Sequence, residues 1–170
     1  DYGESLRSSL NFISSTYTDL MTERQAAVSE ILKAGHIPAG MELFSEGDKT
    51  QMDAIKQWID ESDAFMLILG GRYGSLLPGS GKSYIELEYD YAIQQRKPHF
   101  SVVIDEQALE DKVRESGTVC IEKENPKKLA RFREKVLANA ASFFEDEKDI
   151  RRCVHQRLDE YANNRSIIGC

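Results

Sequence analysis

Six apolar residues stand side by side at Ala64–Leu69, with Asp63 before them and Gly70-Gly71 after. The run is too short for an ordinary helix and shows no polar alternation. It fits a strand buried on both faces, and such strands belong to parallel sheets covered by helices on both sides.

The flanking segments alternate as that architecture requires. Leu10–Ile13 is a short apolar strand closed by Ser14, Ser15 and Thr16. A helix is expected from Asp19 to Ala34, capped by Thr18 or Asp19 and stopped by Gly35. His36–Phe44 is a second strand candidate, weakened by Pro38 and Gly40. Ser45–Lys49 reads as a polar turn. Thr50–Glu61 carries Met52, Ile55 and Ile59 on one helical face. Gly70–Lys82 is a Gly-rich loop, Ser83–Arg96 a helix ended before Pro98, and Phe100–Ile104 another strand. Helices are expected at Glu106–Glu115, Pro126–Asn139 and Glu147–Asn163, with a short strand at Ser142–Phe144. Alternating strands and helices imply one α/β domain with a central parallel sheet of about five strands. Ligands of such sheets bind beyond the carboxyl ends of the strands. The loops Ser14–Thr18, Phe44–Lys49 and Gly70–Lys82 are therefore the ones to examine.

Composition narrows the function. The 170 residues carry a net charge of −7, which opposes a phosphate backbone, so nucleic acid is not an expected partner. No apolar run approaches the ~18 residues of a membrane span. Cys120, Cys153 and Cys170 have neither zinc nor redox spacing, and His36, His99 and His155 are scattered. No metal or resident cofactor is expected, and free thiols fit a cytoplasmic location. No stretch reads as a secretory signal. The chain reads as a domain cut from a longer protein.

Gly79-Ser80-Gly81-Lys82-Ser83 looks like the end of a phosphate-binding P-loop, and Ser101–Asp105 looks like its companion strand. The motif needs a glycine where Leu76 stands, and Pro78 removes a needed amide. A plain Gly-Ser loop is the stronger reading.

The helix at Ser83–Arg96 is more informative. At about 100° per residue, Glu86 and Asp90 share an arc without large apolar neighbours and read as the solvent face. Glu88 falls within about 60° of Tyr84, Tyr91 and Ala92, on the apolar side. A carboxylate among aromatic rings near a helix start is costly unless it has a partner or a purpose. Arg24 is a similar anomaly, set among Leu20, Ala27, Val28 and Ile31 of the first helix. Glu88 or a ligand phosphate would be its partner. Ser14, Ser15 and Thr16 offer hydroxyls and amides at a strand-to-helix turn. Gly70 and Gly71 permit close backbone approach, while Arg72 and Tyr73 supply charge and a stacking ring.

The runs FISSTYTDLMTERQA (Phe12–Ala26), MLILGGRYGS (Met66–Ser75) and GKSYIELEYDYA (Gly81–Ala92) together resemble an uncharacterised prokaryotic family. Its members commonly stand at the N-terminus of larger multidomain proteins and are similar to Toll/interleukin-1 receptor (TIR) domains. The resemblance implies a flavodoxin-like, TIR-like three-layer sandwich. A more distant similarity is to nucleoside 2-deoxyribosyltransferases, whose spacing is kept by Glu88, Tyr91, Ala92, Lys97 and Pro98. In those enzymes the Glu attacks the ribosyl carbon. In TIR enzymes a Glu on the corresponding helix supports cleavage of the nicotinamide–ribose bond of NAD. The transferases' base-holding Asp has no clear counterpart here. The Trp-Cys usual before the TIR Glu is absent, with Tyr84 in its neighbourhood.

The resemblance thus implies a nucleotide-binding effector that cleaves an N-glycosidic bond, with NAD the leading substrate, in bacterial defence or signalling. Glu88 would act at the ribose. Ser14, Ser15, Thr16, Arg24, Gly70, Gly71, Arg72, Tyr73, Ser83 and Tyr84 would shape the pocket. Expected partners are a nucleotide, other copies of the chain, and further domains of the same protein. The alternative is a signalling module without enzymatic activity that self-associates or recruits a partner.

Overall fold

The computed structural model describes residues 8–40 and 49–168. They form five strands, β1 (Leu10–Ser14), β2 (Ile37–Gly40), β3 (Ala64–Leu69), β4 (His99–Ile104) and β5 (Ala141–Phe144). The helices are α1 (Met21–Lys33), α2 (Lys49–Glu61), α3 (Tyr84–Gln94), α4 (Glu106–Ser116), α5 (Pro126–Leu137) and α6 (Glu147–Ile168). The expected extension of β2 to Phe44, most of the Phe44–Lys49 loop, and Cys170 lie outside the described residues.

All strand pairs are parallel, in the order β2-β1-β3-β4-β5. This is a doubly wound α/β sheet of the flavodoxin and TIR type, in three layers. The strand period of two sorts β3 between the layers. Phe65, Leu67 and Leu69 pack with α2, α3 and α5, whereas Met66 and Ile68 pack with α1 and α6. Every β3 residue is buried, as the unbroken apolar run required. Pro38 is tolerated because β2 is an edge strand, where a missing N–H breaks no ladder on its open side.

Local chemistry sets the helix ends. Gly35, at φ 82°, takes the left-handed turn that stops α1, and His36 N–H then donates to the Ile31 carbonyl. Ser83 Oγ accepts from the Glu86 N–H to start α3, and the Asp105 carboxylate accepts from Gln107 and Ala108 to start α4. The start of α1 departs from expectation. It begins at Met21, and neither Thr18 nor Asp19 caps it. Asp19 instead accepts a hydrogen bond from Thr16 Oγ1 at 2.6 Å, which ties up the loop before the helix.

Candidate functional site

β1 and β3 are neighbours whose following helices leave onto opposite faces, α1 towards β2 and α3 towards β4. The loops therefore diverge at the carboxyl ends of these two strands, the place where doubly wound sheets form their binding crevice. Alternation along β1 turns Phe12 towards α3 and Ile13 towards α1. Ser14, the last β1 residue, comes next on the α3 side, and Glu88 lies just past the first turn of α3. Ser14 Oγ donates to Glu88 Oε2 at 2.6 Å.

Ser15 faces the other way. Its Oγ accepts from Arg24 Nη1 at 3.2 Å, and the same guanidinium nitrogen donates to the Ile13 carbonyl at 3.1 Å. Arg24 is buried, which is possible because these acceptors meet its donors. Gly40 makes the space: a Cβ there would lie 2.3 Å from the guanidinium. Arg24 reaches Glu88 through its charge, while the hydrogen bond to Glu88 comes from Ser14.

Burial pushes the Glu88 carboxyl up to about 7, against the opposing pulls of the Ser14 hydrogen bond and the Arg24 charge. Desolvation prevails because two favourable contacts do not replace the water lost by a carboxylate. The side chain is nonetheless only half-buried. A carboxyl so poised is present in both protonation states near neutral pH. It can move a proton, or as the anion stabilise positive charge developing beside it.

The structure places the other expected residues differently. Tyr73 is a core residue: it is 1% exposed, its ring packs edge-on against Phe132, and its hydroxyl donates to Glu86. It has no free face on which a ligand could stack. Glu86 is correspondingly not on a solvent face. It is buried between Tyr73 and the Lys135 ammonium, which also holds Asp90 at 2.7 Å. α5 covers this side of α3, a neighbour that a single-helix periodicity cannot reveal.

The two glycines after β3 make room for the protein's own packing. A Cβ on Gly71 would lie 2.3 Å from the Cys120 carbonyl oxygen, and one on Gly70 3.0 Å from Leu20. Arg72 is half-buried at the loop surface and donates to Thr18 Oγ1 at 3.1 Å. Ser83 is fully buried and serves as the α3 cap. Tyr84 is half-buried against the α2/α3/α5 core, one turn before Glu88 on the same helix face. Tyr91 turns towards α2, where its hydroxyl donates to the Asp60 carboxylate at 2.8 Å.

The Gly-Ser-Gly-Lys-Ser stretch spends its amides on itself. Lys82 N–H donates to Ser80 Oγ, Ser80 N–H to the Leu77 carbonyl, and Lys82 Nζ pairs with Asp90 at 2.9 Å. A short antiparallel bridge, Leu76 to Ser83, closes the loop. This is a self-contained turn, not a phosphate cradle.

Two further carboxylates lie at the strand ends. Burial raises the Asp19 carboxyl, opposed by its Thr16 hydrogen bond and by the charges of Arg72 and Lys112. Glu23 is buried and paired with Lys112. Nothing in their spacing marks them: Asp19 is held by its own loop through Thr16, and Glu23 depends on Lys112 of α4. Glu86 did leave a signal, the Ser-x-x-Glu pattern of a capping box at Ser83–Glu86. Ser83 performs its half of the box and the Glu86 side chain reaches elsewhere. Arg24 also lines a cavity of about 470 Å³ with Tyr17, Met21 and Arg151.

No curated protein matches the chain. Among solved structures, the TIR domains of "the activated Roq1 resistosome directly recognizing the pathogen effector XopQ" match 91% of this chain and 99% of that one. The identity is 15% and the TM-score 0.56, a likeness of fold. A diflavin flavoprotein A3 from Nostoc sp. matches 96% of this chain and 97% of that one at 15% identity, with TM-score 0.47. A family model described as a domain of unknown function covers residues 12–159. On that match, the chain belongs to the DUF4062 family.

Proposed function

We propose that this domain is a TIR-like effector that binds a nucleotide and cleaves an N-glycosidic bond, with NAD the leading substrate. The observation that carries the reading is the Glu88 carboxyl, held by Ser14 in the β1/β3 crevice and poised near neutrality. As the bond from ribose C1′ to the base lengthens, positive charge builds on the sugar ring. An ionised Glu88 beside C1′ would stabilise that charge. The nicotinamide leaves with the bonding electrons, water adds at C1′, and the water's proton passes to Glu88 or to solvent. Ser14 would orient the carboxylate, and Arg24 would bias it towards the anion. The Ser15–Thr18 backbone and Arg72 would hold the phosphates, and Tyr84 and Tyr17 would offer ring surface. In the full-length protein the domain would be an N-terminal effector module, serving bacterial defence and active when assembled with other copies.

The test is to incubate the concentrated domain with NAD and follow nicotinamide release, with the assembly state measured in parallel. Turnover abolished by Glu88→Gln is expected. No turnover in an assembled sample, or turnover unaffected by that change, would overturn the reading.

A second reading, a signalling module without catalysis, is favoured by one observation. Tyr73, Gly70 and Gly71 are consumed by the protein's own packing, which leaves fewer residues for a substrate. The structural relative drawn from an activated resistosome supports assembly as the output. On this reading Glu88→Gln leaves cellular NAD unchanged, while substitutions at exposed Tyr17 and Met21 abolish signalling.

A further inference from the structure

Two helices of this chain carry opposite patterns of charge. α4 presents Glu106, Glu110 and Arg114 in one row, each a turn after the last, and all three are exposed. α5 presents Lys127, Arg131 and Glu134 on the side away from buried Phe132 and Val136, and these too are exposed. In chain direction the signs run minus, minus, plus on α4 and plus, plus, minus on α5.

Neither row is neutralised within the fold. Glu106 with Glu110, and Lys127 with Arg131, are like charges one turn apart, which repel. Among the described residues, none of these four side chains forms a salt bridge, and Arg114 reaches only Asp111 of its own helix, at 3.6 Å. The rows cannot answer each other inside one molecule. α4 packs through Ala108 and Leu109 on the α1/α6 side of the sheet, and α5 through Phe132 and Val136 on the α2/α3 side. α4 is also poorly covered. None of its residues is buried, whereas every other helix buries at least two among the described residues.

A surface that matches α4 must offer cations at two successive turns and a carboxylate at the third. α5 of another copy does so. Nucleic acid and anionic lipid would offer α5 only negative charge, with no cation for Glu134, and would meet the net charge of −7.

We propose that copies of this domain associate head to tail, with α5 of one lying parallel along α4 of the next. The pairs across the contact are Glu106 with Lys127, Glu110 with Arg131, and Arg114 with Glu134. The two surfaces differ and lie on opposite layers, so each contact leaves one of each unused, and association continues into a chain or closes into a ring. A single helix-on-helix contact is at the small end of protein interfaces, so assembly depends on concentration and weakens with salt. The proposal rests on the assembled state in the effector reading above, not on the chemistry of Glu88.

The experiment is sedimentation velocity over a range of protein concentrations, at low and at physiological salt. The unsubstituted chain should grow with concentration, and less so at the higher salt. Arg131→Glu or Glu110→Lys alone should raise the half-assembly concentration about tenfold. Together they restore an opposite pair at the original net charge, and should bring that concentration back to within about threefold of its starting value. Lys33→Glu, exposed at the end of α1, should change nothing. Lys127→Glu with Glu106→Lys repeats the cycle should a central variant fail to fold. A chain that stays monomeric, single variants that assemble as before, a double variant as weak as the singles, or an equal loss in Lys33→Glu would each overturn the proposal. NAD turnover is followed in the same samples. Assembly by this route without turnover sinks the effector reading alone, and turnover in samples that assemble regardless of these changes sinks this proposal alone.

Discussion

Replacing Glu88 with Gln should make the protein more stable above neutral pH and leave it unchanged in acid. The carboxyl ordinarily titrates at 4.5 and is raised to about 7 in the fold. Between those values the native state holds a proton that the unfolded chain has released, so stability falls as pH rises through this window. At about 1.36 kcal/mol per unit, the ionised group costs the native state about 3 kcal/mol by pH 8.5. Allowing for water that reaches a half-buried side chain, about 2 kcal/mol is the better figure. Gln resembles the protonated acid in shape and charge, and so escapes the cost. In a domain of this size that is a gain of roughly 4–8 °C in Tm. Urea unfolding of both proteins at pH 4 and pH 8.5 measures it, the difference appearing only at the higher pH. A Gln variant less stable at pH 8.5 would refute the reasoning. It would show that Ser14 and Arg24 stabilise the anion by more than burial costs.

Two other outcomes follow from the packing. Tyr73→Phe removes the hydroxyl that donates to buried Glu86 and should cost about 1–3 kcal/mol, read as a lower urea midpoint with unchanged slope. Gly71→Ala places a methyl 2.3 Å from the Cys120 carbonyl oxygen, so backbone must move, at a cost of about 1–3 kcal/mol in the same assay.

The strands and helices were legible in the sequence wherever a single period sufficed. Ala64–Leu69 fits a strand buried on both faces, and Gly35 and Ser83 mark helix ends by the conformations their neighbours need. Glu88 was legible for a related reason: its position on the helix wheel conflicts with its charge. What could not be read is what α5 and α4 contribute from the other end of the chain. Glu86 read as solvent-facing because a helix wheel has no knowledge of Lys135. Tyr73 read as a ligand platform because a Gly-rich loop says nothing about Phe132. Gly70 and Gly71 did signal a close approach. The approaching atoms on the side a Cβ would occupy belong to Leu20 and Cys120.

The contact between Ser14 and Glu88 joins positions 74 residues apart. Between them lies the exposed tip Pro78–Ser80, where a cut would leave the two partners on separate polypeptides. Neither piece would own the crevice, because one would carry β1 and the other α3. Whatever this site does, its activity in a cleaved sample would measure how well the two halves of the sheet find each other.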